Sequence, residues 1–120
     1  MRILVVDDEP AVRDLAVEIL RRSGYNPHGV PTAQHALALL DEEQFDLVVS
    51  DVVMPEMSGV ELLYELRRRR PDMPVILMTG GSEEPERTTK AVELGAVALL
   101  YKPFSHAQLK DIVASVLDVG

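Results

Sequence analysis

A chain of 120 residues with 47% apolar content fits one compact domain over residues 1–120, which buries roughly two-thirds of the surface its unfolded chain exposes. Twenty acidic against twelve basic residues leave a formal charge of -8, which repels a phosphate backbone and argues against direct nucleic-acid binding. The lack of cysteine excludes disulfides, thiolate zinc sites and cysteine nucleophiles, and no apolar run is long enough for a signal peptide or a membrane span, so a cytoplasmic location and no membrane partner are expected.

Short runs rich in Val, Ile and Leu alternate with longer segments of helical periodicity, which predicts a parallel α/β sheet. Ile3 to Val6 reads as a first strand covered on both faces. Pro10 to Arg22 follows as a helix, with Pro early and Gly24 just past its end, and Val12, Leu15, Ala16, Ile19 and Leu20 along its apolar face. Tyr25 to Val30 contains Pro27 and Gly29, which suit an edge strand better than a central one. Thr32 caps a second helix carrying Ala36, Leu37, Leu39 and Leu40, and Leu47 to Val49 is the third strand. Ser58 caps a third helix with Leu62, Leu63 and Leu66, and Val75 to Met78 is the fourth strand. Pro85 and Gly95 bracket a fourth helix, Ala96 to Leu100 gives the fifth strand, and Ser105 caps a last helix with its stripe from Leu109 to Leu117. Right-handed crossovers at this length predict a doubly wound five-stranded parallel sheet in the order 2-1-3-4-5, with five helices.

In an open parallel sheet the functional crevice lies beyond the carboxyl ends of the strands. The first strand ends in Asp7 and Asp8, the third in Asp51 and the fourth in Thr79, and the fifth is followed by Lys102 and Pro103. Taken singly, Asp-Asp after a strand is equally a turn and helix-capping signal, Asp51 and Thr79 are ordinary loop residues, and Lys102 is an ordinary surface lysine. Jointly, four strands ending in chemically complementary groups point to a site. Crowded carboxylates repel each other and call for a counter-charge. Oxygen-only donors suit Mg2+, whose charge together with that of Lys102 would balance Asp7, Asp8 and Asp51.

The sequence here resembles the receiver domain of two-component response regulators along essentially its whole length. The likeness rests on Asp7-Asp8 after the first strand, on Asp51-Val52-Val53-Met54-Pro55-Glu56-Met57-Ser58-Gly59, on Thr79-Gly80 and on Lys102-Pro103-Phe104. The resemblance implies that Asp51 accepts a phosphoryl group from a sensor histidine kinase or a histidine phosphotransfer protein. It implies Mg2+ held by Asp8, Asp51 and the backbone carbonyl of Val53, with Asp7 acting through water, and Thr79 and Lys102 acting on the phosphoryl oxygens. A cis bond between Lys102 and Pro103 is implied as well. The family is a phosphoacceptor that catalyses its own phosphorylation and dephosphorylation, not a turnover enzyme on an external substrate. Its output face, formed by the fourth helix, fifth strand and fifth helix, reads out to an effector domain or protein, and the sequence leaves a homodimer open. Carboxylates are ionised at neutral pH, so such a nucleophile needs no general base, and positioning with charge neutralisation suffices.

The sequence departs from the family where an aromatic residue usually stands three positions before the lysine. Leu99 occupies that place, and Tyr101, on the same strand face, is expected to be a packing or rim residue, so no aromatic rotation is expected. Gly80 to Glu86 reads first as an ordinary polar connection after the fourth strand, with a loop ordered by phosphorylation as the second reading. Val53 and Gly81 offer no polar side chain to orient a hydrolytic water, which predicts a slowly lost phosphoryl group. Arg67 to Arg70 fit cations at a helix C-terminus better than a phosphate patch, and His28, His35 and His106 are expected at the surface. A flavodoxin-like carrier would need a Ser/Thr/Gly-rich loop where Asp8-Glu9-Pro10-Ala11 stands. An aspartyl phosphohydrolase would carry its nucleophile on the first strand and need more chain. The remaining alternative is a degenerate receiver that binds partners without phosphorylation.

Overall fold

The computed structural model describes residues 1–80 and 85–117. Strands and helices alternate as β1 (Arg2–Val6), α1 (Pro10–Arg22), β2 (Asn26–Val30), α2 (Ala33–Glu42), β3 (Leu47–Asp51), α3 (Gly59–Arg69), β4 (Val75–Thr79), α4 (Pro85–Glu93), β5 (Ala98–Tyr101) and α5 (His106–Leu117). The strands form one parallel sheet in the expected order β2-β1-β3-β4-β5. Alternation splits the core into two layers. Leu4, Val6, Val48 and Leu77 face α2, α3 and α4, whereas Ile3, Val5, Val49 and Ile76 face α1 and α5. Strands β3 and β4 are buried at every position, which accounts for the apolar runs Leu47–Val49 and Val75–Met78 before their polar ends.

Caps set the helix boundaries. Thr32 accepts the amide of His35 at 3.0 Å. Ser58 and Glu61 form a reciprocal capping box, with bonds of 3.0 and 3.1 Å, and Ser105 and Gln108 do the same at 2.8 and 3.1 Å. The last turn of α4 closes through Gly95, at φ +90°: its amide reaches Val92 O at 3.0 Å and that of Ala96 reaches Ala91 O at 3.0 Å. This Schellman closure uses the Ala96 amide, so β5 begins at Ala98, two residues later than the apolar run suggests, and runs on through Tyr101.

Strand β2 is an edge, as Pro27 and Gly29 suggest. Asn26 donates to Met1 O at 2.9 Å and Val30 O accepts from Asp7 at 3.2 Å, so the even residues face β1 and the nitrogen of Pro27 faces outward. The arginine run at the end of α3 is taken up by its surroundings. Arg67 donates to the carbonyls of Leu94 (3.0 Å), Gly95 (3.2 Å), Pro71 (3.2 Å), Met73 (2.9 Å) and Arg70 (3.5 Å), which ties α3 to the end of α4. Arg68 pairs with Glu65, Arg69 with Glu65 and Asp41, and Arg70 donates to Leu40 O at the end of α2. The bonds to Leu40, Leu94 and Gly95 satisfy carbonyls at the ends of α2 and α4, in keeping with the helix-terminus reading of the run.

Candidate functional site

The carboxyl ends of β1, β3, β4 and β5 bring together five of the residues singled out from the sequence. Asp7 is fully buried, Asp51 is 4% exposed and Thr79 is 2% exposed, while Asp8 stands at the surface. One oxygen from each of Asp7, Asp8 and Asp51 lies within 4.8 Å of the other two. Lys102 joins them from the β5–α5 loop: its Nζ is 3.2 Å from Asp7 Oδ2 and 3.1 Å from Asp51 Oδ1. The Lys102–Pro103 peptide is cis, and the Lys102 amide donates to Thr79 O at 2.8 Å.

Each carboxylate has a local reason for its place. Asp7 ends β1 with its amide on Val30 O, and its Oδ1 accepts the Glu9 amide at 2.9 Å. The residue at the N-cap of α1 is Glu9, which makes no side-chain cap bond, so neither Asp7 nor Asp8 serves as the helix cap that an Asp-Asp pair can signal. Asp51 closes β3, and the chain then turns sharply. Val52 donates to Met78 O at 2.9 Å and accepts the Gly59 amide at 2.8 Å. Gly59 is packed so tightly that a Cβ there would lie 2.1 Å from Asp51 O. Between them, Glu56 at φ +67° sits in a three-residue turn closed by Met57 N–H on Pro55 O at 2.8 Å. Val53, two residues past Asp51, is 46% exposed at the mouth.

Hard oxygen donors, two of them on buried carboxylates, with one amine as counter-charge, fit a small divalent cation such as Mg2+. The amine is itself tuned. Burial pushes the Lys102 pKa down, but the hydrogen bond and charge of Asp51, followed by the charge and hydrogen bond of Asp7, outweigh it and hold the pKa above the ordinary 10.5. The stabilisation from these pairs is therefore complete below 10.5 and is lost as pH rises through the raised value. Lys102→Met in metal-free buffer is expected to lower the unfolding free energy by about 3 kcal/mol at pH 8. The gap between variant and wild type should narrow above pH 10.5 in urea titrations, and a gap that stays constant would refute this account.

Leu99 is half-buried against the α2/α3/α4 layer, and Tyr101 is 56% exposed at the rim, opposite Thr79 in the strand register. Tyr101 is thus the rim residue expected from the sequence. His28, His35 and His106 are exposed. The expected Gly80–Glu86 loop falls outside the described residues, apart from Gly80 and the helical backbone at 85 and 86, and Gly81 falls outside them too. Sequence reasoning places one residue of the site, Arg13, only on the exposed part of the first helix. Arg13 of α1 is half-buried and its Nη1 donates to Asp7 O at 3.0 Å. The available signal was its place one turn into a helix that starts three residues after Asp7.

Comparison with known proteins bears on the whole chain. The sequence profile of the response regulator receiver domain matches residues 3–114. The response regulator protein FleR of Pseudomonas aeruginosa is 40% identical over 113 residues, which is 94% of this chain and 24% of FleR. Curated relatives such as this one are longer proteins, of which the chain spans between 12% and 56%. Among solved structures, a CheY-like receiver domain protein from Methanospirillum hungatei superposes with a TM-score of 0.92 at 35% identity, covering 98% of this chain and 93% of that one. The response regulator TrrA from Thermotoga maritima, solved in complex with Mg2+ and BeF, gives 0.86 at 34% identity, covering 97% of this chain and 98% of that one. Among the described residues no helix is long and apolar enough to cross a membrane.

Proposed function

The chain belongs to the response regulator receiver domain family of two-component signalling, and from that premise we propose that Asp51 is its phosphoacceptor. The observation that carries this reading is the bridge made by Lys102, with its Nζ 3.1 Å from Asp51 Oδ1 and 3.2 Å from Asp7 Oδ2, beside the exposed Asp8. An Asp51 oxygen attacks the phosphorus of a phosphohistidine, forming a P–O bond as the P–N bond breaks and the imidazole leaves. Lys102 and the Thr79 hydroxyl then meet the phosphoryl oxygens from two sides. Asp8, Asp51 and the Val53 carbonyl would hold Mg2+, with Asp7 acting through water, since both Asp7 oxygens already accept from Glu9 and Lys102. When bound, the ion supplies the positive charge that lets one anion approach another. The donor is a sensor histidine kinase or a histidine phosphotransfer protein.

Phosphorylation adds close to two negative charges and so draws Thr79 and Lys102 inward. Lys102 N–H is bonded to Thr79 O, so β4 and β5 take up the pull together and pass it to the face built from α4, β5 and α5. An effector domain or protein reads that face, without the rotation of an aromatic ring at position 99.

The test is intact mass after incubation with phosphoramidate, with Mg2+ or with chelator, followed by peptide mapping. One phosphoryl group gained only with Mg2+, on the peptide carrying Asp51, is expected. No gain in the presence of Mg2+ would leave a phosphorylation-independent binding module. The apolar, half-exposed Val53 also sets the expected lifetime. Val53→Asn, which places a hydrogen-bonding amide at the mouth, should speed loss of the phosphoryl group by about tenfold, equal to roughly 1.4 kcal/mol of barrier. Equal decay of the two proteins, followed by mass, would refute the role given to Val53.

A further inference from the structure

The acidic turn between β1 and α1 is held by a group outside it. Of the three carboxylates Asp8 is the exposed one, and its backbone begins at the Asp7–Asp8 peptide. The carbonyl of that peptide, Asp7 O, accepts Arg13 Nη1 at 3.0 Å. The rest of the turn is fixed by Asp7 itself, through its amide on Val30 O and its Oδ1 on the Glu9 amide. Glu9 adds no side-chain cap, so Arg13 is the side chain of α1 that reaches back to secure the turn. Among the described residues Arg13 forms no ion pair, which leaves the carbonyl as its polar partner.

Arg13 reaches this carbonyl by lying across β2. A Cβ on Gly29 would come within 3.0 Å of Arg13 Cγ, 3.2 Å of Arg13 Cδ and 3.2 Å of Val17 Cγ2. The stem of Arg13 thus rests on bare strand backbone, and a methyl group at position 29 would press on that stem by a few tenths of an ångström.

We propose that Arg13 is a positioning residue for the Mg2+ site: it fixes the Asp7–Asp8 peptide and so aims the Asp8 carboxylate, and Gly29 provides the space it lies in. The proposal rests on the reading of Asp7, Asp8 and Asp51 as a cation site. Groups that orient ligands typically change metal affinity by 10- to 100-fold when removed. Arg13→Met keeps the stem and loses the donors, whereas Gly29→Ala keeps the donors and lifts the stem.

Two measurements on the full chain test it. In calorimetric Mg2+ titrations, Arg13→Met and Gly29→Ala should each weaken binding by roughly tenfold, Arg13→Lys should weaken it less, and the double variant should be no worse than Arg13→Met. In the metal-free protein, amide exchange at Glu9, whose N–H is held by Asp7 Oδ1, should quicken in both single variants while Leu63, in the core, keeps its protection. Faster exchange with unchanged Mg2+ affinity in Arg13→Met would overturn the positioning role and leave the cation site standing. Additive losses in the double variant would overturn the link to Gly29. Failure of the wild type to bind Mg2+ would overturn both the site and the role.

Discussion

Asp51→Ala is expected to take up no phosphoryl group from phosphoramidate and Mg2+ under conditions in which the wild type is expected to gain one, an outcome that intact mass reads directly. The neighbouring carboxylates are poor substitutes for it. Asp7 is fully buried, with one oxygen on the Glu9 amide and the other on Lys102. Asp8 is exposed and has no ion pair with Lys102, whose amine bridges Asp7 and Asp51. A phosphoryl group on either would lack the positioning that accounts for much of the rate in such transfers. The same substitution site should show the opposite sign in stability. Three carboxylates against one amine leave net repulsion in the metal-free pocket, so Asp51→Asn is expected to raise the unfolding free energy by about 1 kcal/mol at low salt. Mg2+ should stabilise the wild type more than Asp51→Asn, because a ligand raises stability only as far as it favours the folded state. A fall in stability on Asp51→Asn, seen in urea titrations with chelator, would mean that attraction to Lys102 outweighs the repulsion.

Gly59→Ala is expected to lower stability by about 3 kcal/mol or more, at the severe end for overpacking. The added methyl would stand 2.1 Å from Asp51 O and 3.0 Å from both Asp51 C and Val52 Cα. All three are backbone atoms, so no flexible side chain can swing aside. Either α3 withdraws and loses the Gly59–Val52 bond and the Ser58–Glu61 cap, or the end of β3 moves and carries Asp51 with it. Both routes reach the chemistry, since a displacement of about 1 Å can reduce a positioned reaction by roughly 100-fold. Urea denaturation and the initial rate of phosphoryl gain should therefore fall together. Gly24→Ala makes the control. That residue has φ +95° and open space around its missing Cβ, so only backbone strain of about 1–2 kcal/mol is expected, with the phosphorylation rate unchanged. Loss of rate in Gly24→Ala, or its retention in Gly59→Ala, would refute this account of the β3–α3 junction.

Much of this architecture was legible because its signals are local. The runs in β1, β3 and β4 are apolar without a break because both faces are covered, and Thr32, Ser58 and Ser105 mark helix starts through bonds made within three residues. The convergence of Asp7, Asp8, Asp51, Thr79 and Lys102 was legible for a different reason: in a parallel sheet every strand delivers its last residues to the same rim. What stayed hidden depends on partners distant in sequence. Nothing near Arg67 announces that its guanidinium will bind carbonyls 27 and 28 residues away at the end of α4. Arg13 likewise reads as a surface residue of α1 until Gly29 of β2 is seen beneath it. The start of β5 was misplaced because an apolar run does not reveal that Ala96 still serves the preceding helix.

The outward nitrogen of Pro27 has a consequence for crowding. An exposed sheet margin can template a neighbouring copy, which adds its own backbone as one more strand. On β2 the residues that face away from β1 are Pro27 and Gly29, and proline brings no donor, so an incoming chain would find a single N–H along that margin. The opposite margin, β5, is four residues long. Concentrated solutions of this chain should therefore resist growth into ribbons at either margin, and contacts between copies fall to the helical faces.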